Sequence, residues 1–178
     1  MPSGVWEFTG KYTFKNTWEV HIPITKDDMF VEISGIRLMG PTRIDQGITA
    51  QVSKGTTSDW ITSGYKQTAQ YVEANGTQHD NVWNGLISIP VIDWVSFLPG
   101  EDNESLGQLW LPGVGESGTR FTCLTKCYAA SYDRTNNFGT LINQVFSELA
   151  DNASMTYLKL ASTRIINSGN INVYERER

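Results

Sequence analysis

The chain has 178 residues, of which 39% are hydrophobic and 19% charged, and its formal net charge is −5. That length suits one domain burying roughly 70% of the surface its unfolded chain would expose, with no need of a disulfide or metal staple, and it is too apolar and aromatic for a disordered chain. With no cluster of Lys and Arg, the composition argues against nucleic acid and against an anionic membrane surface as partners, leaving glycans and other protein subunits.

The opening residues, MPSGVWEFTGKYTF, lack a basic region followed by an apolar core, so no secretory signal is expected. Trp6, Phe8, Tyr12 and Phe14 recur at even positions, and Trp18, Val20, Ile22 and Ile24 continue that period. This reads as strands burying one face, with Trp6 and Trp18 in the core. After a turn at Lys26-Asp27-Asp28, Phe30, Glu32 and Ser34 oppose Val31 and Ile33, and Gly40-Pro41 breaks the run. Ile44 to Val52 gives another strand, Ser53 to Asp59 a polar loop, and Tyr65 to Val72 the strand after Gly64.

Asn75-Gly76 and Asn84-Gly85 both carry the hairpin signature, because Asn and Gly tolerate positive φ. Residues 99–118 read as a long loop with one short strand at Leu109 to Leu111, followed by a strand from Phe121 to Tyr132. Leu141, Ile142, Val145, Phe146 and Leu149 fall at helical spacing and predict one short helix near 140–150; a strand pair is the competing reading, since Thr140 and Asn143 are poor helix formers. The closing strands, Thr156 to Ile166 and Asn170 to Tyr174, are split by Asn167-Ser168-Gly169. The fold class is therefore all-β: residues 1–178 form a single antiparallel, jelly-roll-like β-sandwich of about eight to ten short strands.

Cys123 and Cys127 lie about 13 Å apart on a straight strand, at roughly 3.3 Å per residue, which is beyond disulfide reach. Buried, unbridged thiols are the expectation. Among the tryptophans, Trp94 joins Trp6 and Trp18 in apolar, strand-like contexts and is assigned to the core. Trp60, Trp83 and Trp110 sit at loop edges and, with Tyr65, are the candidate residues for stacking on sugar rings or contacting a subunit.

A glycosidase would need two carboxylates roughly 5–9.5 Å apart, and Asp80, Asp93, Glu101, Asp102, Glu104 and Glu116 are available but unpaired by sequence. The loop Glu101 to Glu104 lacks the alternation of a dedicated calcium site and reads as solvated. No Gly-x-Ser-x-Gly elbow and no phosphate loop occur, and His79 reads as a solvent-facing turn residue. No catalytic residue, metal or cofactor is expected.

The pattern Trp18…Ile22-Pro-Ile24, a polar turn, Phe30-Val-Glu-Ile-Ser-Gly-Ile, then Gln51-Val-Ser with Trp60 and Ser63-Gly-Tyr65 resembles a module of bacteriophage virion proteins. The closure Thr163-Arg-Ile-Ile, Ser168-Gly-Asn170 and Ile171-Asn-Val-Tyr174 is similar to theirs, except that Glu175 stands where a glycine is usual. The likeness covers about the first 70 and last 20 residues, and its motifs are turns and core aromatics. It implies a jelly-roll-like unit of tail fibres, tail tips or capsid surfaces, often trimeric, with no catalytic residue.

The expected function is a non-enzymatic structural protein displayed on the phage particle, localised to the virion after assembly in the host cytoplasm. It would serve as a capsid decoration (cement) or tail accessory subunit, a homotrimer contacting other virion proteins. The alternatives are a tail-fibre receptor-binding tip recognising a bacterial surface glycan, and a carbohydrate-active enzyme.

Overall fold

A computed structural model describes residues 4–38, 44–45, 47–73, 77–92, 96–97, 106–128 and 140–178. Among the described residues twelve strands form: β1 (Glu7–Pro23), β2 (Asp28–Leu38), β3 (Ile44–Asp45), β4 (Ile48–Ser53), β5 (Tyr65–Glu73) and β6 (Gln78–Leu86), then β7 (Ile89–Ile92), β8 (Ser96–Phe97), β9 (Leu106–Leu111), β10 (Thr122–Tyr128), β11 (Thr140–Glu148) and β12 (Tyr157–Arg176). Apart from the short β3–β8 pair, they join one antiparallel ten-stranded sheet in the order β6-β5-β11-β10-β9-β2-β12-β4-β7, with β1 paired along β12. The molecule is an all-β, jelly-roll-like sandwich.

The sheet doubles over because the β1–β12 ribbon turns a corner. Between the pairs Thr17↔Ile166 and Glu19↔Ala161, β12 advances through 162–165 while β1 advances only through Trp18. Asn16 accommodates the bend with a left-handed φ of 52°. Ahead of the corner β12 pairs with β4, over Tyr157 to Ala161; after it, with β2, over Ile166 to Arg176. The free end of the folded-over layer, β7, lies against β9: a Cβ added to Gly107 would sit 2.8 Å from Ile92 Cγ1, so glycine is what lets the layers approach.

Val31, Ile33, Leu109, Leu158, Leu160, Ile171 and Val173 fill the space between the layers, each fully or almost fully buried. Burying each such side chain contributes roughly 1.5–3 kcal/mol. The two edges of the sheet meet at Ile87-Ser88, which joins β6 to β7. There Gln51 Nε2 donates to the Ile87 carbonyl (2.8 Å) and Gln67 Nε2 to the Ser88 carbonyl (2.6 Å), tying β4 and β5 to the seam.

The end of β12 is locked between β1 and β2 by buried charge. Glu175 accepts hydrogen bonds from Thr25 N (2.7 Å), Thr25 Oγ1 (2.6 Å) and Lys26 N (3.4 Å). Asp28, fully buried, accepts from Gly113 N (2.7 Å), Arg176 Nε (3.0 Å) and Arg178 Nε (2.8 Å). Burial pushes the Asp28 pKa up, but these donors outweigh it and hold it below the ordinary carboxylate value.

Several local expectations change. Residues 140–148 form strand β11 rather than a helix, paired with β10 and β5; two-sided ladder pairing overrides the helical spacing. Asn167-Ser168-Gly169 does not split the closing strands: β12 continues through it as one strand, with register shifts against β2 on either side of Ser168, and an added Cβ at Gly169 would meet Ile36 Cδ1 at 2.5 Å. Asn84-Gly85 makes a bulge within β6, with Gly85 at φ 72°, opposite the step from Tyr65 to Gln67. The Asn75-Gly76 turn and the end of the 121–132 strand lie outside the described residues, although β5 and β6 pair as a hairpin requires. Cys123 and Cys127 are buried on β10 with no disulfide between them.

Candidate functional site

Register across the large layer assembles a surface that no single strand encodes. Phe8 on β1 pairs with Tyr174 on β12, Tyr174 with Phe30 on β2, Phe30 with Trp110 on β9, Trp110 with Leu124 on β10, and Leu124 with Phe146 on β11. Because side chains alternate faces, and Val31, Leu109 and Val145 point inward, this whole row points outward. Phe8 is 58% exposed, Trp110 44% and Phe146 45%. Six apolar side chains at roughly 4.8 Å per strand make a belt about 24 Å long.

The next outward row is polar from end to end: Lys11, Asn172, Glu32, Gln108, Lys126, Gln144, Gln70 and Asp80. The belt is therefore a bounded stripe, and exposed contiguous apolar surface of this kind marks interaction sites.

At its centre the belt deepens into an open groove of about 360 Å³ lined by Trp6, Phe30, Glu32, Trp110 and Tyr174. Trp6, just ahead of β1, stands edge-on to Phe30 (centroids 6.3 Å, planes 68°) and to Trp110 (6.3 Å, 80°). The Arg176 guanidinium lies 4.7 Å from the Trp6 ring centroid and is itself anchored on Asp28, which fixes the indole from below. Gln108 Nε2 reaches Glu32 Oε1 at 3.5 Å.

The four aromatic residues singled out from sequence occupy four separate places. Trp110 is in the groove. Trp83, 37% exposed, lines a second hollow of about 210 Å³ at the β6–β7 seam, with Gln67, Ile87 and Pro90. Trp60 packs on the smaller layer, 5.0 Å from the His21 ring with Lys159 Nζ 4.9 Å above it. His21 in turn contacts Glu19 Oε1 at 3.1 Å, and burial lowers the Lys159 pKa with Glu19 opposing it.

Tyr65 is a correction: it is fully buried, its hydroxyl accepts from Val52 N at 3.2 Å, and its ring meets Phe121 at 6.3 Å. A side chain closed off in the core has no face left for a ligand. Burial also pushes its phenol pKa up to about 12.

The core assignments of Trp6 and Trp18 are corrected as well. A register shift between Phe8 and Gly10 turns the first residues of β1 to the outer face, and the corner at Thr17/Glu19 turns out Trp18, which is 60% exposed. Trp94 lies outside the described residues. What sequence reasoning missed is the belt itself: Trp6, Phe8, Phe30, Tyr174 and Phe146. The available signal was that Phe30 and Tyr174 fall out of phase with the aliphatic residues beside them.

Of the candidate carboxylates, Asp80 is exposed opposite Gln70 on β6, and Glu116 is engaged with Thr119 Oγ1 (3.1 Å) and Arg178 (3.4 Å). Asp93, Glu101, Asp102 and Glu104 lie outside the described residues, as does the His79 side chain. Among the described residues no group of three or more His, Cys, Asp or Glu is placed to hold a metal ion. Comparison with protein-family models and with curated proteins gives no match.

Proposed function

We propose that this protein is a non-enzymatic structural protein of a bacteriophage particle, displayed on its surface as a capsid decoration or tail accessory subunit. The phage assignment rests on the sequence resemblance; the contact role rests on the belt and the strand edge it reaches. The outer edge of β1 pairs with no strand among the described residues, and Val5 (77% exposed), Phe8 and Trp18 lie along it. A long open edge bearing exposed aromatics invites pairing unless a neighbour covers it. A homotrimer in which each β1 edge is covered by the next copy satisfies that need and gives avidity to weak contacts.

The test is binding to phage particles stripped of their accessory proteins. Wild-type protein saturates them, and a Phe8→Ser, Trp18→Ser variant with unchanged circular dichroism does not. Equal binding by the variant removes the reading.

A second reading, a receptor-binding tip of a tail fibre, is favoured by one observation: the Trp6–Trp110 groove is concave and faces outward. Retained particle assembly with lost adsorption to host cells in a Trp110→Ala variant distinguishes it.

A further inference from the structure

We infer that the groove between Trp6, Phe30, Trp110 and Tyr174 binds a quaternary ammonium group of choline type, with Glu32 as its counter-charge. The inference rests on the receptor-binding reading only in supplying the ligand of that groove; the binding itself is a property of the isolated protein.

Four aromatic side chains and one carboxylate line the hollow. Ring faces carry negative quadrupole charge and attract a cation held within about 6 Å of their centroids. Trp6 already takes one cation in this way, since the Arg176 guanidinium rests 4.7 Å from its centroid. Arg176 is tied to Asp28 and cannot swing out to fill the groove without breaking that pair. The volume, about 360 Å³, falls within the roughly 300–1,000 Å³ of small-molecule sites.

The chemistry of the lining selects this ligand over a sugar. A neutral sugar draws no charge attraction from the ring quadrupoles or from Glu32, the one formally charged side chain of the lining, whereas a cation is attracted by both. Glu32, as a carboxylate, only accepts. A primary ammonium is a poorer fit, because its three N–H groups would find the Glu32 carboxylate and the Tyr174 hydroxyl but otherwise aromatic carbon and indole N–H donors. A quaternary ammonium has no N–H to satisfy: its methyl groups pack on the rings and its charge is met by the ring faces and Glu32. Gln108 reaches Glu32 from one side and Asn172 stands in register with it on the other, with Lys11 and Lys126 each a further strand away.

Tryptophan fluorescence and calorimetric titration of the whole protein with tetramethylammonium and choline, at fixed ionic strength, test the site. The expected result is saturable binding in the millimolar range, at least about fivefold weaker for 3,3-dimethylbutan-1-ol, the uncharged isostere of choline, from the size of cation–π attraction at an accessible site. E32Q, which preserves shape, weakens ammonium binding about fivefold and leaves 3,3-dimethylbutan-1-ol binding unchanged. W110A abolishes both, with the thermal midpoint as a check that it folds.

Free choline and the same headgroup on phosphatidylcholine vesicles form two arms. Binding in either supports the site, and binding in neither overturns it. Equal affinity for 3,3-dimethylbutan-1-ol, or saturable binding of a neutral disaccharide in place of the cations, also overturns it. A protein that ignores the cations yet still adsorbs to host cells through Trp110 refutes this inference alone and leaves the receptor-binding reading standing.

Discussion

Tyr174 and Phe30 face each other across β12 and β2, their ring centroids 6.0 Å apart and their planes tilted by 39°. Each has core residues as immediate chain neighbours, Val173 and Val31, so one backbone step separates the dry interior from the aromatic belt. The contrast gives a first prediction. Leu109→Ala, on the inward face of β9, costs about 2–5 kcal/mol, whereas Trp110→Ala beside it costs under about 1.5 kcal/mol, because much of that ring already touches water. Urea denaturation of both variants checks this; equal losses would mean that the faces are misassigned.

Asp28 makes the fold acid-sensitive. Its pKa is held below the ordinary value by Gly113, Arg176 and Arg178, so its contribution is fully present above the unfolded carboxyl pKa near 3.9. That contribution is lost as pH falls through the lower, folded value. Asp28→Asn removes this part of the acid transition and costs roughly 2 kcal/mol at neutral pH, the scale of a hydrogen bond to a charged group. Thermal midpoints of the two proteins between pH 7 and about pH 2 measure it.

Tyr65 does the same at the alkaline end. With its phenol pKa raised to about 12 by burial, its contribution is intact below the unfolded value near 10 and is lost as pH rises from there towards 12. Tyr65→Phe loses about 1 kcal/mol with the hydrogen bond from Val52. The variant also flattens the decline in stability above pH 10, which a pH series of urea midpoints reads directly.

Ser147 is a built-in fault. Its hydroxyl is fully buried opposite Cys123 and has no hydrogen-bond partner among the described residues. Ser147→Ala therefore raises stability by up to about 1 kcal/mol, since an unsatisfied buried hydroxyl carries a desolvation cost. A loss of stability in that variant would reveal a partner for the hydroxyl.

The all-β class was legible because Val31-x-Ile33, Ile48-x-Ala50-x-Val52 and Ile171-x-Val173 alternate cleanly and do bury one face. The period misled wherever the backbone skipped a step. The register shift between Phe8 and Gly10 separates the outward Trp6 and Phe8 from the inward Tyr12 and Phe14, and the shift between Thr17 and Glu19 turns Trp18 out, so an even-numbered run is not one face. Residues 140–148 looked helical because spacings of three and four also occur by chance in a strand; pairing with β5 and β10 decided it. Sequence reasoning reached Trp110 through its loop-edge context, but not the groove. Trp6, Phe30 and Tyr174 are brought to Trp110 by cross-strand register, which is set by strand order, and strand order is not written in local periodicity.

Sedimentation equilibrium of the isolated chain tests the central claim, that the open β1 edge and the aromatic face it adjoins are contact surfaces. At micromolar concentration the account predicts a species of three times the 19.9 kDa chain mass, falling to single chains in the Phe8→Ser, Trp18→Ser variant. A wild-type protein that stays at the single-chain mass, with or without phage particles present, would contradict it.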